Sequence, residues 1–350
     1  MSAFHSLQIS KIVPNTAHAV TIYFDMPEHL RNDFSFSAGQ YITIRYFLEG
    51  EELRRAYSIC SSRSDGTLAI GVKEVADGTF SVIANKTLQA GDSLDVMAPE
   101  GRFTFETSGS PQNVVAFAAG SGITPIMSIA HEVLASHEAN RFVLLYGNQG
   151  KMETMFYDEL ANLQKKYPER FSIQYSFSRI SEEGALFGRI DKAKVNYMLK
   201  NKFKDLDFDS FYLCGPEDMI HEVKTCLLDQ NIEEDKILFE LFTTPIETES
   251  VPVVTDESKT SIHVVLDDEE FEIVMKRKEL VLDALLNANI DAPYSCQGGV
   301  CSTCIAKVNE GKVVMEKNQI LTDSEIEEGY ILTCQSHPTT PILRIDYDDV

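Results

Sequence analysis

The strongest chemical signal in this chain comes from cysteine. Three of its seven cysteines lie within residues 295–304, which read SCQGGVCSTC, and another follows in LTCQSHP. Cys296, Cys301, Cys304 and Cys334 are therefore spaced C-x4-C-x2-C-x29-C. Four thiolates with this spacing are the ligand pattern of a plant-type [2Fe–2S] cluster, which carries single electrons.

Two other uses of four thiols compete with this interpretation. Zinc also accepts four thiolates, but zinc sites usually present two compact ligand pairs, whereas only one occurs here. A disulfide role needs an oxidising compartment, and the first residues, MSAFHSLQISKI, lack the pattern of a secretory signal. The glycines of QGGV favour the cluster, because they let backbone N–H groups approach inorganic sulfide closely.

The charge and hydropathy of the chain argue against two classes of partner. Its 31 Lys and Arg against 54 Asp and Glu give a formal net charge of -23, which repels nucleic acid and anionic lipid. No stretch reaches the roughly 18 uninterrupted apolar residues of a membrane span. We therefore expect a cytoplasmic protein that binds neither nucleic acid nor membrane.

The length of 350 residues predicts more than one domain. Residues 243–260, TTPIETESVPVVTDESKT, are rich in Thr, Pro, Ser and acids and have no helical period, which indicates an exposed linker. Beyond it, residues 261–350 hold 17 acidic and 7 basic residues, so this part has the denser negative charge. The predicted domains cover residues 1–107, 108–243 and 260–350, with a linker over 244–259.

Residues 113–230 alternate between strand and helix patterns. The apolar runs NVVAFAAG, RFVLLYGN, FSIQYSFS and SFYLCGP predict strands. Helices are predicted after Pro125, over 153–167, near 191–200 and over 217–230. This alternation predicts a parallel sheet with helices on both faces and a ligand crevice at the carboxyl ends of its strands.

Three short strings fall at that predicted crevice. They are GSGITP (120–125), YGNQ (146–149) and CGPEDM (214–219). A glycine-rich turn alone often serves only as a tight corner, but it also lets backbone approach a pyrophosphate. Three such strings at one edge favour a nucleotide site.

The first hundred residues predict an antiparallel barrel, because short runs such as YITIRY, RRAYSI and TLAIGVKEV alternate with turn residues. In RAYS, Arg55 and Tyr57 share one face of a strand and could hold a phosphate and stack on a planar ring. An isolated tetrapeptide of this kind is usually a solvated Arg beside a half-buried Tyr. GVKEVADGTFS (71–81) ends at a predicted helix start, which is a second anion site.

These motifs together resemble the ferredoxin–NADP reductase family, in its variant with a C-terminal plant-type ferredoxin domain. The resemblance covers nearly the whole chain and rests on RAYS, VKEVADGTFS, GSGITP, YLCGPEDM, ELF (240–242) and PYSCQGGVCSTC…LTCQ. It implies a flavin-binding antiparallel β-barrel, an α/β NAD(P)-binding domain and an α+β ferredoxin domain of the β-grasp type. Within the family, residues 301–335 are most similar to the reductase group of phenylacetyl-CoA epoxidases.

The resemblance implies roles for particular residues. Tyr57, Ser58, Cys214 and Glu240 are implied at the flavin and the hydride-transfer contact. Further flavin contacts are implied for Arg55, Ala56, Val72, Lys73, Gly78, Phe80, Ser81, Thr124 and Phe242. Nucleotide contacts are implied for Gly120, Gly122, Pro125, Asn148, Ser178, Arg179, Gly215 and Pro216. FAD is preferred to FMN because a diphosphate needs the second anion site, although FMN members of the family exist.

One departure from the family pattern bears on the pyridine nucleotide. Members that use NADPH often carry Asn-Arg after YG, where this chain has Asn148 and Gln149. An uncharged Gln cannot pair with a 2′-phosphate as Arg does. Arg179, at the end of the next predicted strand, is placed to do so, although a lone Arg equally often forms a solvent-facing ion pair. We expect NADPH, with NADH as the alternative.

The combined parts predict an electron-transfer enzyme. NAD(P)H donates two electrons as a hydride, whereas a [2Fe–2S] cluster accepts one at a time, so a flavin must act between them. The resemblance implies an oxygenase partner of the phenylacetyl-CoA epoxidase type, in aromatic degradation, which docks on the acidic ferredoxin domain. The alternatives are a reductase of hybrid-cluster protein or of another oxygenase, and a zinc-binding scaffold whose other motifs would be coincidences.

Overall fold

The computed structural model describes residues 4–242 and 258–350. It divides into two compact units. Residues 4–53 and 57–242 form the first, and residues 54–56 are grouped with 258–350 in the second. The predicted linker lies outside the described residues except at its end, where Lys259 already begins a strand. The domain boundaries stay predictions.

The N-terminal part of the first unit is the predicted antiparallel barrel. Its strands are β1 (Phe4–Thr16), β2 (Ala19–Phe24), β3 (Tyr41–Leu48), β4 (Glu51–Ser58), β5 (Leu68–Lys73) and β6 (Ser93–Met97), with one helix, α1 (Phe80–Lys86). They are hydrogen-bonded in the order β4-β3-β6-β1-β2-β5, and a bridge between Ile59 and Ile70 joins the end of β4 to β5. Alternate apolar residues such as Ile42 and Ile44 point inward and are fully buried, each stabilising the fold by roughly 1.5–3 kcal/mol.

The rest of the first unit is the predicted parallel sheet. Its strands are β7 (Asn113–Ala119), β8 (Arg141–Asn148), β9 (Phe171–Phe177), β10 (Leu186–Phe187), β11 (Ser210–Cys214) and β12 (Ile237–Glu240). Its helices are α2 (Ile123–Ser136), α3 (Tyr157–Lys166), α4 (Lys192–Asn196) and α5 (Glu217–Leu228). The strands are hydrogen-bonded in the order β10-β9-β8-β7-β11-β12. After β7 the chain adds strands on one side, and from β11 it adds them on the other, so the switch between the two sides, the strand reversal, falls between β7 and β11. Sheets of this kind open a ligand crevice at that point.

Two predicted helices have different bounds in the structure. The helix predicted over 153–167 begins only at Tyr157, because Phe156 has a left-handed φ of 58° and donates its N–H to Asn15 Oδ1 at 2.9 Å. The helix predicted near 191–200 is α-helical only to Asn196 and continues as a π-helical turn, Tyr197–Lys202. Both differences arise from hydrogen bonds that periodicity does not encode.

The second unit has the β-grasp topology. Its strands are β13 (Lys259–Leu266), β14 (Glu269–Lys276), β15 (Ile305–Glu310), β16 (Val313–Met315), β17 (Tyr330–Leu332), β18 (Ser336–Pro338) and β19 (Ile342–Asp346), and its helices are α6 (Val281–Asn287) and α7 (Asp323–Glu327). Five strands form one sheet in the order β14-β13-β19-β15-β17, in which β13 and β19 are parallel, and β16 pairs with β18. Buried residues of α6, such as Val281 and Leu285, belong to the apolar core of this unit.

The remaining short helices are 3-10 turns. They are Glu28–Leu30, Arg63–Asp65, Gly120–Gly122, Lys151–Glu153, Glu234–Lys236 and Thr333–Gln335. Within the residues that the structure describes, none of the helices has the length and apolarity needed to cross a bilayer.

Candidate redox site

Three predicted residues meet at the carboxyl ends of β11 and of the edge strand β12. β11 and β12 pair in register, so Cys214 lies beside Glu240. Ser58, the last residue of barrel strand β4, donates a hydrogen bond from Oγ to Glu240 Oε2 at 3.1 Å. A hydroxyl, a thiol and a carboxyl group from three strands therefore share one edge of the sheet.

The proton affinities of two of these groups are altered by their surroundings. Loss of hydration raises the pKa of Glu240 from 4.5 to about 8, and the hydrogen bond from Ser58 opposes the rise. Glu240 is half-buried by exposed area, so protein atoms crowd its carboxylate without sealing the residue from solvent. Burial also raises the pKa of the Cys214 thiol, and Glu240 adds to the rise. Near neutral pH, both groups therefore favour their protonated forms.

The turn between β7 and α2 has no room for a side chain at its last residue. A Cβ on Gly122 would lie 2.1 Å from the backbone oxygen of Cys214. A Cβ on Gly215 would lie 2.8 Å from Met219 Cε. The turn after β7 therefore packs directly against the end of β11 at the strand reversal, where sheets of this kind open a ligand crevice.

The helices that begin at this edge have the residues predicted for their starts. Pro125 lies in the first turn of α2, and Pro216 directly precedes α5, positions at which its missing N–H is tolerated. Thr124 is buried and donates from Oγ1 to the carbonyl of Ser121 at 3.0 Å. Its methyl group lies 2.6 Å from where a Cβ on Gly71 of β5 would be, so the barrel and the parallel sheet meet here closely.

On the barrel side, an aromatic pair lies beside a compact loop. Tyr57 is half-buried and its ring centroid lies 5.5 Å from that of Phe80, which is buried at the start of α1. Ser81 Oγ accepts the backbone N–H of Val75 at 3.2 Å, and a Cβ on Gly78 would lie 2.5 Å from that oxygen. The loop before α1 therefore leaves little room for a side chain at position 78.

Val72, the neighbouring β5 residue predicted at the flavin, is fully buried in the barrel core. Its side chain therefore supports the fold of the barrel, its carbonyl accepts a hydrogen bond from Asn85 Nδ2 at 3.3 Å, and its role at the flavin stays a prediction.

A cation and a buried amide lie at the ends of β7 and β8. Lys73 Nζ is 3.7 Å from where a Cβ on Gly120 would be, and burial lowers the pKa of Lys73. Tyr146 donates its hydroxyl to the carbonyl of Gly120 at 2.9 Å. Asn148 Nδ2 is buried and has no well-directed hydrogen bond among the described residues, although its side chain approaches the Tyr146 hydroxyl. A buried donor without a well-directed partner is costly, so this amide fits a site that a polar ligand completes.

The residues considered for the 2′-phosphate lie together at the next strand end. The backbone N–H of Ser178 bonds to the carbonyl of Asn148 at 2.9 Å, and that of Arg179 bonds to the carbonyl of Gln149 at 3.0 Å. Arg179 is exposed, and its guanidinium makes no ion pair within the described part of the chain. Arg179 is thus adjacent to the strand end that carries Asn148.

Within the described residues, three residues predicted at the flavin make no hydrogen bond or ion pair with Ser58, Cys214 or Glu240 that would place them at the same edge of the sheet. Arg55 and Ala56 are grouped with the second unit. Arg55 is exposed and donates from Nη1 to the carbonyl of Arg54 at 2.7 Å. Phe242 is partly exposed at the end of the first described segment. Their roles at the flavin stay predictions.

In the second unit, the four spaced cysteines form two hydrogen-bonded pairs. Cys301 donates to Cys296, which lowers the pKa of Cys296, and Cys304 donates to Cys334, which lowers the pKa of Cys334. The thiols are thus arranged as two pairs, whereas the four ligands of a single zinc ion surround one point. Two pairs fit a cluster of two irons that each take two thiolates.

Backbone N–H groups of the glycine loop point at these sulfurs. Gly298 donates its N–H to Cys296 Sγ at 3.3 Å, and Val300 and Gly299 supply further N–H contacts to Cys296 and Cys334. Ser295 Oγ is buried next to Cys296 without a partner among the described residues. Thiolates surrounded by donors, with a spare hydroxyl, fit an anionic iron–sulfur cluster.

A chain of hydrogen bonds connects the segments that carry Cys304 and Cys334. Buried Tyr347 donates to Thr333 Oγ1 at 2.9 Å, and Thr333 donates from both Oγ1 and N to the carbonyl of Cys304 at 3.1 Å. Sequence reasoning missed Ser295, Thr333 and Tyr347. Ser295 and Thr333 directly precede predicted ligands, which is the signal that could have drawn attention to them.

The geometry defines a class of protein: a flavin- and nucleotide-binding reductase joined to an iron–sulfur domain. Sequence models of three families match the chain in that order. They are the oxidoreductase FAD-binding domain over residues 8–105, the oxidoreductase NAD-binding domain over 117–225 and the 2Fe-2S iron-sulfur cluster binding domain over 264–339. FAD, a pyridine nucleotide and a [2Fe–2S] cluster are therefore the cofactors.

Similarity to characterised proteins extends over the whole chain. It is 37% identical over 353 residues to a component of 1,2-phenylacetyl-CoA epoxidase from Escherichia coli K12, covering 99% of both chains. It is 30% identical to the ferredoxin reductase component of 3-ketosteroid-9-alpha-monooxygenase from Rhodococcus rhodochrous, covering 97% of this chain and 96% of that one. The chain belongs to the ferredoxin–NADP reductase family, in the group with a C-terminal [2Fe–2S] domain, and is an NAD(P)H-dependent flavin and iron–sulfur oxidoreductase.

Solved structures share the fold. Phthalate dioxygenase reductase matches with a TM-score of 0.62 at 21% identity, covering 98% of both chains. An intact type IV self-sufficient cytochrome P450 monooxygenase matches with a TM-score of 0.71 at 22% identity, covering 98% of this chain and 41% of that one. The prediction of three domains of these fold types is confirmed.

Proposed function

We propose that the chain is the reductase component of an oxygenase of the phenylacetyl-CoA epoxidase type, and passes electrons from NADPH to that oxygenase. The observation that carries the redox part is the pairing of the four thiols Cys296–Cys301 and Cys304–Cys334 in the second unit. The acceptor is inferred from the relative that is 37% identical over 99% of the chain and is a component of that epoxidase.

The flavin site is proposed at the edge shared by Ser58, Cys214 and Glu240. Bound FAD would accept a hydride from the nicotinamide and release electrons singly toward the cluster. Tyr57, packed against the buried ring of Phe80, offers an aromatic surface at the barrel side of this edge. Ser58 Oγ and the Glu240 carboxyl group hold a proton there, because the pKa of Glu240 is raised. Cys214 fills the wall of the crevice and needs no proton-transfer role.

The pyridine nucleotide is proposed to lie at the strand reversal, beside the tightly packed glycines Gly122 and Gly215. The contribution of this chain is positioning, since hydride transfer requires reacting atoms roughly 3–3.5 Å apart. Lys73 beside Gly120 supplies positive charge near the turn, and the buried amide of Asn148 supplies a donor. These features support a site for a dinucleotide with its negative pyrophosphate.

Preference for NADPH is proposed to depend on Arg179. Its guanidinium is exposed and has no acidic partner within the described residues, so it is free to pair with a 2′-phosphate. Arg179→Ala should raise the KM for NADPH by about 10–100-fold, the worth of one charge-assisted hydrogen bond, and leave the KM for NADH nearly unchanged. Steady-state ferricyanide reduction with each nucleotide measures both.

Arg141→Ala is the matched control, because Arg141 is also exposed but begins β8 at the opposite edge of the sheet. Equal effects of Arg179→Ala on both nucleotides would show that Arg179 does not contact the 2′-phosphate. A wild-type preference for NADH would overturn the proposed choice of nucleotide.

The partner is proposed to dock on the ferredoxin domain. Residues 261–350 carry 17 acidic against 7 basic residues, and the exposed acids Glu269, Glu270 and Glu272 lie on the sheet-edge strand β14. A basic patch on the oxygenase would complement this surface. The expected cytoplasmic location also stays a prediction, to be checked by cell fractionation.

The acceptor is tested by stopped-flow mixing of the prereduced protein with the purified oxygenase component of phenylacetyl-CoA epoxidase. Hybrid-cluster protein at the same concentration serves as the competing acceptor. Faster reoxidation of the cluster by the epoxidase component is expected. Faster reoxidation by hybrid-cluster protein, or equally slow reoxidation by both, would contradict the proposed acceptor.

A further inference from the structure

The side chain of Gln335 lies between the cysteine loop and the last cysteine. Gln335 directly follows Cys334 and is only 5% exposed. Its Nε2 donates to the carbonyl of Gln297 at 3.1 Å and to the carbonyl of Cys334 at 2.7 Å. The same nitrogen lies 3.8 Å from Cys334 Sγ, within hydrogen-bonding range of sulfur. One amide therefore contacts both segments that carry cysteine ligands.

The aliphatic part of Gln335 fixes a second feature of the loop. Its Cγ lies 3.2 Å from where a Cβ on Gly299 would be, and Gly299 has a φ of 73°. The backbone carbonyl of Gln335 also accepts the backbone N–H of Glu316 at 2.7 Å, which ties the residue to the end of β16. Gln297 itself has a left-handed φ of 51°. The loop conformation that aims N–H groups at sulfur is thus held from one side by Gln335.

We propose that Gln335 is a positioning residue for the iron–sulfur cluster: it orders the loop at Gln297–Gly299 and raises the reduction potential through its contact with Cys334 Sγ. This inference rests on the proposed ligand set. The physical reason for the direction is that reduction adds negative charge to the cluster. A donor aimed at a ligand sulfur stabilises the reduced form more than the oxidised one.

The experiment is a redox titration of the full chain, followed by electron paramagnetic resonance of the reduced cluster. Gln335→Met keeps the length of the side chain and removes its donor. Gln335→Glu keeps the shape and replaces the donor with negative charge. Gln319→Met is the matched control, since Gln319 reaches the same loop only through its backbone N–H, which bonds to Gly299 O at 3.2 Å.

At a fixed potential, Gln335→Met should lower the ratio of reduced to oxidised cluster by about tenfold, which is a ~59 mV shift for one electron. Gln335→Glu should lower it further, and Gln319→Met should leave it unchanged. The electron paramagnetic resonance lines should broaden in the Gln335 variants only, as the loop becomes less ordered.

An unchanged potential in both Gln335 variants would overturn the proposal. So would loss of the cluster in both variants alongside normal uptake in Gln319→Met, because the role would then be in assembly alone. The wild-type spectrum tests the proposed ligand set separately: absence of a [2Fe–2S] signal there would defeat the proposed function before any variant is compared.

Discussion

At the scale of single residues, Glu240 is a carboxyl group whose proton affinity departs far from its value in water. Its pKa of about 8 means that the folded protein binds the proton more tightly than the unfolded chain, where the ordinary value is 4.5. The stability supplied by the protonated form is complete below pH 4.5 and is lost as the pH rises through 8. Wild-type stability should therefore fall across this window relative to a variant that cannot ionise.

Glu240→Gln supplies that comparison. In protein stripped of flavin, the unfolding temperature of the variant minus that of the wild type should increase between pH 4.5 and pH 8 and level off above it. Differential scanning calorimetry at several pH values measures the difference. A difference that stays constant with pH would mean that Glu240 ionises normally in the folded protein.

The role of a residue could be predicted from sequence where it depends on neighbours in the chain, and not where it depends on contacts that form on folding. The spacing of Cys296 to Cys334 in sequence was enough to propose four ligands, because ligand spacing is a property of the chain itself. The Ser58 to Glu240 contact joins residues far apart in sequence and was not predicted; the family resemblance implied only that each lies at the flavin. Gln335 and Tyr347 could not be identified, because their importance lies in contacts that form after folding.

At the scale of elements, the turn Gly120–Gly122 and the end of β11 approach more closely than any side chain would allow. Gly122→Ala places a Cβ 2.1 Å from the Cys214 carbonyl oxygen. Backbone must then move, at a cost of about 1–3 kcal/mol. The variant should unfold at a lower temperature and reduce its flavin more slowly with NADPH, as measured by calorimetry and stopped-flow absorbance.

Gly147→Ala is the matched control for that substitution. A Cβ on Gly147, in neighbouring β8, would meet side-chain atoms of Ile190 at 3.2 Å and Ala119 at 3.6 Å, and no backbone atom. Because Gly147 also lies in a string predicted at the nucleotide crevice, a smaller slowing of flavin reduction than in Gly122→Ala is expected for it. If Gly122→Ala behaved as wild type, the close approach of turn and strand would not matter for nucleotide binding.

Element types were predictable from sequence where periodicity decides them. Four of the six strands of the parallel sheet were predicted within a residue or two, because continuous apolar runs mark strands buried on both faces, whereas the short strands β10 and β12 were not predicted. The start of α3 was not, because it depends on the left-handed Phe156 and its bond to Asn15 in the barrel. Such boundaries are set by tertiary contacts rather than by the local pattern.

At the scale of the whole molecule, the formal net charge of -23 affects association with the partner. If the ferredoxin domain docks electrostatically, electron transfer to the oxygenase should slow as salt shortens the Debye length to about 3 Å at 1 M. Flavin reduction by NADPH within the same series should change less. Stopped-flow oxidation of the prereduced cluster across a salt series measures the effect, and a rate indifferent to salt would show that the acidity does not serve docking.

The central claim is that electrons pass from flavin to partner only through the cluster bound by the four spaced cysteines. Cys334→Ser removes one proposed ligand from the second unit and leaves the flavin and nucleotide residues of the first unit intact. Cys226→Ser, which changes a buried cysteine of α5 outside the spaced set, is the control. The measurement compares NADPH-dependent reduction of ferricyanide, which takes electrons from flavin directly, with reduction of cytochrome c. Cys334→Ser should keep the first activity and lose the second, and loss of both to the same degree would contradict the account.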